Sequence, residues 1–291
     1  MNVEELSTFS SADQFLAHAT GLPRVILEGQ SDVILFKVWF QELQEDLEFV
    51  AAEDVVNGGG CTAVGPAVDE SVIQSIPAVG VVDRDYLQRE KRWDILFATD
   101  PAMLAGSAGH PDVRVASLWE IEAYLLRPEL LGSWVGVQHS PQPAPARAVQ
   151  RATEMVLQEC EGLLDAVAFF ASGHECGVPY DERYFLADRA NTIGERCRAL
   201  LGADTKARQE HAAAIEEHLG NVRDGRPEDP AERIVYLLQF IDTKRLLHRL
   251  RKRLSLGAEA HHALKVLMAD RGLRPEELHQ VLTDAVRAFT D

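Results

Sequence analysis

Two short apolar runs, each ending in carboxylates, constrain this chain more than any other feature. The first reads Arg24-Val25-Ile26-Leu27-Glu28-Gly29-Gln30-Ser31-Asp32, and the second Ala78-Val79-Gly80-Val81-Val82-Asp83-Arg84-Asp85. Short β-branched runs of this kind fill buried parallel strands. Open α/β sheets gather their ligands at the carboxyl ends of the strands, so the pattern predicts acids converging on one site. Converging carboxylates repel one another unless a cation sits between them, and all-oxygen donors favour Mg²⁺ or Mn²⁺. The expectation is a metal-dependent enzyme.

Each acid also has a plainer explanation. Gly29 lets the backbone turn sharply after Glu28, and Asp32 lies one helical turn beyond it, so both can face one ion. Ser31 and Asp32 equally suit an N-cap and a favourable charge in a first helical turn. Asp83 and Asp85 alternate with Arg84, which in an extended backbone sends both aspartates to one side; a surface turn would also account for them. Glu120 and Glu122 stand where a further strand, Val113–Leu118, gives way to a helix, and acids belong in first helical turns.

Composition narrows the classes. The 291 residues allow one large domain or two ordinary ones. No apolar run approaches the ~20 residues needed to span a bilayer, so no membrane partner is expected. Met1-Asn2-Val3-Glu4-Glu5 carries no positive region, and Cys61, Cys160, Cys176 and Cys197 have no paired spacing. Both features suit a reduced cytoplasm. The net charge of −17 opposes a simple nucleic-acid binder. A local patch still acts within a screening length of ~8 Å, and Lys244, Arg245, His248, Arg249, Arg251, Lys252 and Arg253 form one without an acid among them. A solvated helix face explains the same run.

Other motifs carry less. Gly58-Gly59-Gly60 can bring amides near a phosphate, yet its match to a dinucleotide pattern follows the second strand and lacks a ribose-binding acid. No phosphate-binding GxxxxGK[ST] sequence is present, and no GxSxG elbow. His174-Glu175-Cys176 and His261-His262 lack a second ligand pair at zinc spacing.

Strands are expected at Val25–Leu27, Leu47–Ala51, Ala78–Val82, Trp93–Ala98 and Val113–Leu118. Helices are expected at Ser7–Thr20, at Val33–Leu43 with Ser31 as its cap, and from the glycine loop to Ile76. Such alternation implies a parallel sheet. His139-Ser140-Pro141-Gln142-Pro143-Ala144-Pro145 reads as a linker. Beyond it come helices at Ala148–Gly162, Asp188–Leu201, Thr205–Leu219, Ala231–Arg253, Ala258–Ala269 and from Arg274 through Phe289. The chain thus reads as an α/β domain over 1–138, a helical insertion or docking region over 139–230, and C-terminal helices over 231–291 from which Lys244 returns to the site.

The glutamate-glycine turn after the first strand, the Asp83-Arg84-Asp85 pair and the parallel sheet together resemble the Toprim domain of topoisomerases, primases and OLD-family nucleases. Glu120-Ile121-Glu122-Ala123-Tyr124-Leu125-Leu126 is similar to the IENYLL-type segment of the OLD-like proteins. The combination with the glycine loop, Val82-Asp83-Arg84-Asp85-Tyr86 and Asp242-Thr243-Lys244-Arg245-Leu246 resembles the small Toprim-like effectors of the PARIS anti-phage system. The resemblance covers residues 22–126 and, more faintly, 234–250. Two departures are Ala123 in place of the usual asparagine and Thr243-Lys244 in place of a glycine-lysine pair.

The resemblance implies a Toprim-like parallel sheet flanked by helices and followed by a mostly α-helical region. It implies that Asp32, Asp83, Asp85 and Glu122 hold Mg²⁺ or Mn²⁺, that Glu28 binds metal or moves a proton, and that Lys244 offsets transition-state charge. Arg245, Arg249 and Lys252 would then hold a nucleic-acid backbone. The implied protein is a cytoplasmic nuclease acting on DNA or RNA (tRNA included), an antiviral effector controlled by a partner ATPase and acting as a homodimer. Two alternatives stand beside it. One is a non-catalytic regulatory module of the same fold. The other is a phosphatase of the haloacid-dehalogenase type, suggested by Val82-Asp83-Arg84-Asp85.

Overall fold

A computed structural model describes residues 21–138, 151–178, 189–254 and 260–290. The class is α/β, as expected: a four-stranded, all-parallel sheet flanked by helices, with a mostly helical remainder. By its contacts the chain divides into two compact units. One is Met1–Val82 with Ala105–Ala116 and Gly272–Asp291; the other is Asp83–Leu104 with Ser117–Arg271. These boundaries differ from cuts near 138 and 230. The expected helix Ser7–Thr20 and the linker 139–145 lie outside the described residues, as do the first residues of the helices expected from 148, 188 and 258.

The first unit holds the sheet, in the order β2-β1-β3-β4, formed by β1 (Arg24–Leu27), β2 (Glu48–Ala51), β3 (Ala78–Val82) and β4 (Val113–Val115). β1 and β3 are buried at every position, which is why their sequences run apolar without alternation. Arg24 is the exception in β1, and its buried guanidinium pairs with Glu48 of β2 at 3.0 Å. Helix α1 (Gln30–Trp39) follows β1 and buries Val33, Leu35, Phe36 and Trp39. Phe36 meets Trp39, Phe40 and Phe49 at 5.3–6.2 Å between ring centroids. The helix starts before the expected cap: Gly29, not Ser31, stands at its N-cap, and the Gly29 carbonyl accepts the N–H groups of Asp32 and Val33. The last helix, Glu276–Thr290, joins this unit through His279, stacked on Phe40, and through an Arg274–Glu42 ion pair.

Helix α2 (Cys61–Ile73) lies against β3 at a point where only glycine fits. A Cβ on Gly80 would sit 2.5 Å from Val64 Cγ1 and 2.9 Å from Val113 Cγ2.

The second unit is helical: α3 (Pro128–Gln138), α4 (Ala152–Leu164), α5 (Val167–Glu175), α6 (Ile193–Gly202), α7 (Lys206–Asp224), α8 (Pro230–Leu237), α9 (Thr243–Leu254) and α10 (Ala260–Asp270). Two expectations change here. Trp93–Ala98 is not a strand: Trp93–Leu96 is a helical turn, with Trp93 stacked on Phe97 one turn on. The single helix expected over Ala231–Arg253 is broken between α8 and α9. Phe240 and Ile241 are fully buried in the break, and Asp242 restarts the helix by accepting the Arg245 N–H at 2.8 Å.

Gly80→Ala should destabilise the protein by about 1–3 kcal/mol, the cost of overpacking a filled core. Urea unfolding would show this as a lower midpoint with an unchanged slope; an unchanged midpoint would mean that Val64 and Val113 yield freely.

Candidate metal centre

β1 and β3 are parallel, hydrogen-bonded neighbours, paired from Arg24↔Ala78 through Ile26↔Gly80. Glu28 directly follows β1 and Asp83 directly follows β3, so both acids leave the sheet at its carboxyl edge. Glu28 is half-buried, and its backbone carbonyl accepts the Gly60 N–H at 3.0 Å. Gly60 has φ 77°, a conformation that favours glycine, so the glycine loop serves to tie itself to the end of β1. Asp32 lies buried in the first turn of α1, where Ser31 Oγ donates to it at 3.4 Å.

The remaining acids belong to the helical unit. Asp83 is buried, and its Oδ1 accepts the Ile121 N–H at 2.8 Å. The Asp85 N–H donates to the Trp119 carbonyl at 3.1 Å. Between them Arg84 is 1% exposed. Its Nε and Nη2 donate to the Leu96 carbonyl at 3.0 and 2.8 Å, Nη2 to Ala98 at 2.8 Å and Nη1 to Ser117 at 3.0 Å. The guanidinium also lies 4.8 Å from the centre of the Phe240 ring. The Leu96 and Ala98 carbonyls serve this guanidinium and not a strand ladder, which accounts for the missing strand.

Residue 120 begins the next approach to the cluster. Glu120 is 3% exposed and precedes the 3-10 turn Ile121–Leu125, which carries half-buried Glu122. Lys244 stands in the first turn of α9. Its Nζ lies 2.9 Å from Glu120 Oε1, and its backbone N–H donates to Glu120 Oε2 at 3.0 Å. Asp242 completes the group, held by Arg245 through the N-cap bond and an Nε–Oδ2 contact of 3.1 Å.

Carboxylates outnumber cations in this cluster. Burial, reinforced by Asp242 and Glu122 against the pull of Lys244, raises the Glu120 carboxyl to about 7. Burial likewise pushes Asp85 up, with Lys244 and Arg89 opposing and Asp242 and Glu122 assisting. Burial works to lower the Lys244 ammonium, but Glu120, Glu122 and Asp83 outweigh it and hold its pKa above the ordinary value.

Of the expected site residues in the helical unit, the structure gathers Asp83, Asp85, Glu122 and Lys244. It adds Glu120, which the sequence offers beside Glu122 but outside the expected ligands, and Asp242, which the sequence marks only as the start of the Asp242-Thr243-Lys244-Arg245-Leu246 segment.

The basic run needs correction. Arg249 is 2% exposed and bound to buried Glu159 at 2.6 Å, so it is a strut between α9 and α4 and not a phosphate contact. Arg245 is half-buried between Asp242 and the Phe170 ring, 4.0 Å from its centroid. Lys252 is exposed. In the His174-Glu175 segment, His174 lies edge-on to Trp93, and Glu175 accepts bonds from Trp93 Nε1 and Lys91 Nζ.

Comparison of the chain with protein-family models, with curated proteins and with solved structures finds no match.

Two stability measurements check this arrangement. Arg84→Lys cannot satisfy the Leu96, Ala98 and Ser117 carbonyls together, and each acceptor left bare costs about 1–3 kcal/mol. Thermal denaturation should show a loss of at least that size, and an unchanged midpoint would remove Arg84 from its assigned role. Glu120 keeps its proton in the folded state to higher pH than in the unfolded chain. The stability this contributes is complete below 4.5 and lost as pH rises through about 7. In EDTA, wild type should therefore lose stability between those pH values, and Glu120→Gln should lose less. Parallel pH profiles for the two proteins would contradict the assignment.

Proposed function

We propose that this chain is a Mg²⁺- or Mn²⁺-dependent nuclease of Toprim type that hydrolyses phosphodiester bonds in DNA or RNA. The observation that supports it best is the gathering of Asp83, Asp85, Glu120, Glu122 and Asp242 around a single lysine at the end of a parallel strand. Surplus carboxylates in a partly buried place favour a bound cation, and their hard oxygens suit Mg²⁺ or Mn²⁺.

Asp83, Asp85 and Glu122 are the proposed core ligands within the helical unit, and Glu28 and Asp32 are the candidates the sequence offers from the sheet unit. A divalent ion held there would activate water and stabilise a leaving oxygen. The chain's own groups take the other roles. Glu28, at a half-buried strand end, would accept or return a proton. Lys244 keeps its charge among the acids while its side chain stays largely open to solvent, which suits an ammonium that must meet a phosphoryl oxygen. Through the resemblance described above, the reading extends to a cytoplasmic antiviral effector, a homodimer restrained by a partner ATPase.

One observation favours the non-catalytic module. The Lys244–Glu120 pair already supplies a cation to the cluster, as a site built only for structure would.

The test is Mn²⁺ titration calorimetry beside cleavage of pooled DNA and tRNA, with wild type and Asp83→Asn. The expected result is metal binding by wild type, weakened at least tenfold in the variant, and cutting lost by a factor of a hundred or more (~3 kcal/mol of transition-state stabilisation). Cutting that survives Asp83→Asn would refute the reading, and absence of Mn²⁺ binding would favour the module.

A further inference from the structure

Helix α9 sorts its basic residues into two kinds. On one side it buries Thr243, Leu246, Arg249, Leu250 and Leu254. The cations nearest that side are spent internally, Arg249 on Glu159 and Arg245 on Asp242. On the opposite side Lys244, His248, Arg251 and Lys252 are exposed. Their spacing of i, i+4, i+7 and i+8 places them on one stripe of a 3.6-residue helix. Among the described residues no hydrogen bond or ion pair joins His248, Arg251 or Lys252 to a carboxylate.

Helix electrostatics explains part of this stripe and leaves part over. Cations in the last turn, such as Arg251 and Lys252, are favoured by the dipole. Lys244 stands in the first turn, where the dipole opposes a cation, and it is held there by Glu120. The stripe therefore starts inside the carboxylate cluster and leads away from it for about 12 Å, at 1.5 Å per residue.

We propose that this stripe is a track for the sugar-phosphate backbone of one nucleic-acid strand, running from the cluster at Lys244 along the solvent face of α9. The proposal rests on the nuclease reading for what happens at Lys244, whereas strand binding along α9 is separable from it. Charge complementarity selects the occupant. On a chain of net charge −17, a polyanion is repelled at large and attracted only where cations lie within a screening length of ~8 Å. The stripe carries no Phe, Tyr or Trp, and the one imidazole, His248, cannot stack a run of bases, so contact is chiefly with phosphates and is blind to sequence. It also carries no exposed apolar side chain, which an acidic membrane surface would require for insertion.

The test is fluorescence anisotropy of short single-stranded DNA and RNA with the full chain, in an Asp83→Asn background so that nothing is cut. Arg251→Ser with Lys252→Ser should weaken binding about tenfold at low salt. It should also flatten the slope of log affinity against log salt by about 1.4, two contacts at ~0.7 each. Lys206→Ser with Arg151→Ser, which changes the net charge equally at exposed sites on α7 and beside α4, should leave both quantities unchanged. Equal losses in the two double variants would overturn the track, as would no loss in either or no binding by the parent. Binding to phosphatidylserine vesicles in place of oligonucleotides, dependent on Arg251 and Lys252, would overturn it too. The nuclease reading is checked separately by hydrolysis of bis(p-nitrophenyl) phosphate with Mn²⁺, a substrate too small to need the track. Failure of wild type to hydrolyse it would count against the nuclease and leave the track to the anisotropy result.

Discussion

A guanidinium buried between two aspartates governs the candidate centre. Arg84 turns inward and gathers the carbonyls of Leu96, Ala98 and Ser117. Asp83, Arg84 and Asp85 lie in a turn beyond the strand, where the Tyr86 and Leu87 N–H groups donate back to the Asp83 and Arg84 carbonyls. Burial of a charge is costly unless its hydrogen bonds are met, and here carbonyls meet them. One side chain thus ties the turn after β3 to two distant stretches of backbone, at Leu96–Ala98 and at Ser117. The turn at Trp93–Leu96 and the bend before Glu120 are both shaped by that demand.

The acids of this cluster are mutually unfavourable, and the surroundings temper the repulsion in three ways. Backbone N–H groups accept the burden at Asp83, Glu120 and Asp242, through Ile121, Lys244 and Arg245. A single ammonium sits among them. Glu120 takes a proton more readily than an ordinary carboxyl. The break between α8 and α9 is what frees the N–H groups of Lys244 and Arg245 for Glu120 and Asp242, since an unbroken helix would have none to offer there.

Much of this was legible in the sequence because burial leaves a mark on composition. β1 and β3 are apolar throughout since both faces are covered, and the acids that follow them stand out by contrast. What escaped notice depends on distant partners. Arg249 looks like its neighbours in a basic run, and only Glu159, ninety positions away in the chain, makes it internal. Trp93–Ala98 has the apolar character of a strand, yet its Leu96 and Ala98 carbonyls are committed to Arg84. The break after Leu237 hides because Phe240 and Ile241 continue a helical pattern while being buried outside a helix. Glu120 and Glu122 differ by two positions and by nothing in type, so their unequal burial was invisible.

The last helix has a consequence for how the molecule is made. Emerging from a ribosome, the chain has all four strands available once Val115 is clear, and domains form from the N-terminal side first. Phe40 and Glu42 must wait for His279 and Arg274, which are translated only after the whole helical unit. Until then the side of Phe40 on which His279 stacks stays uncovered. The sheet unit is thereby completed only after the whole helical unit has been translated.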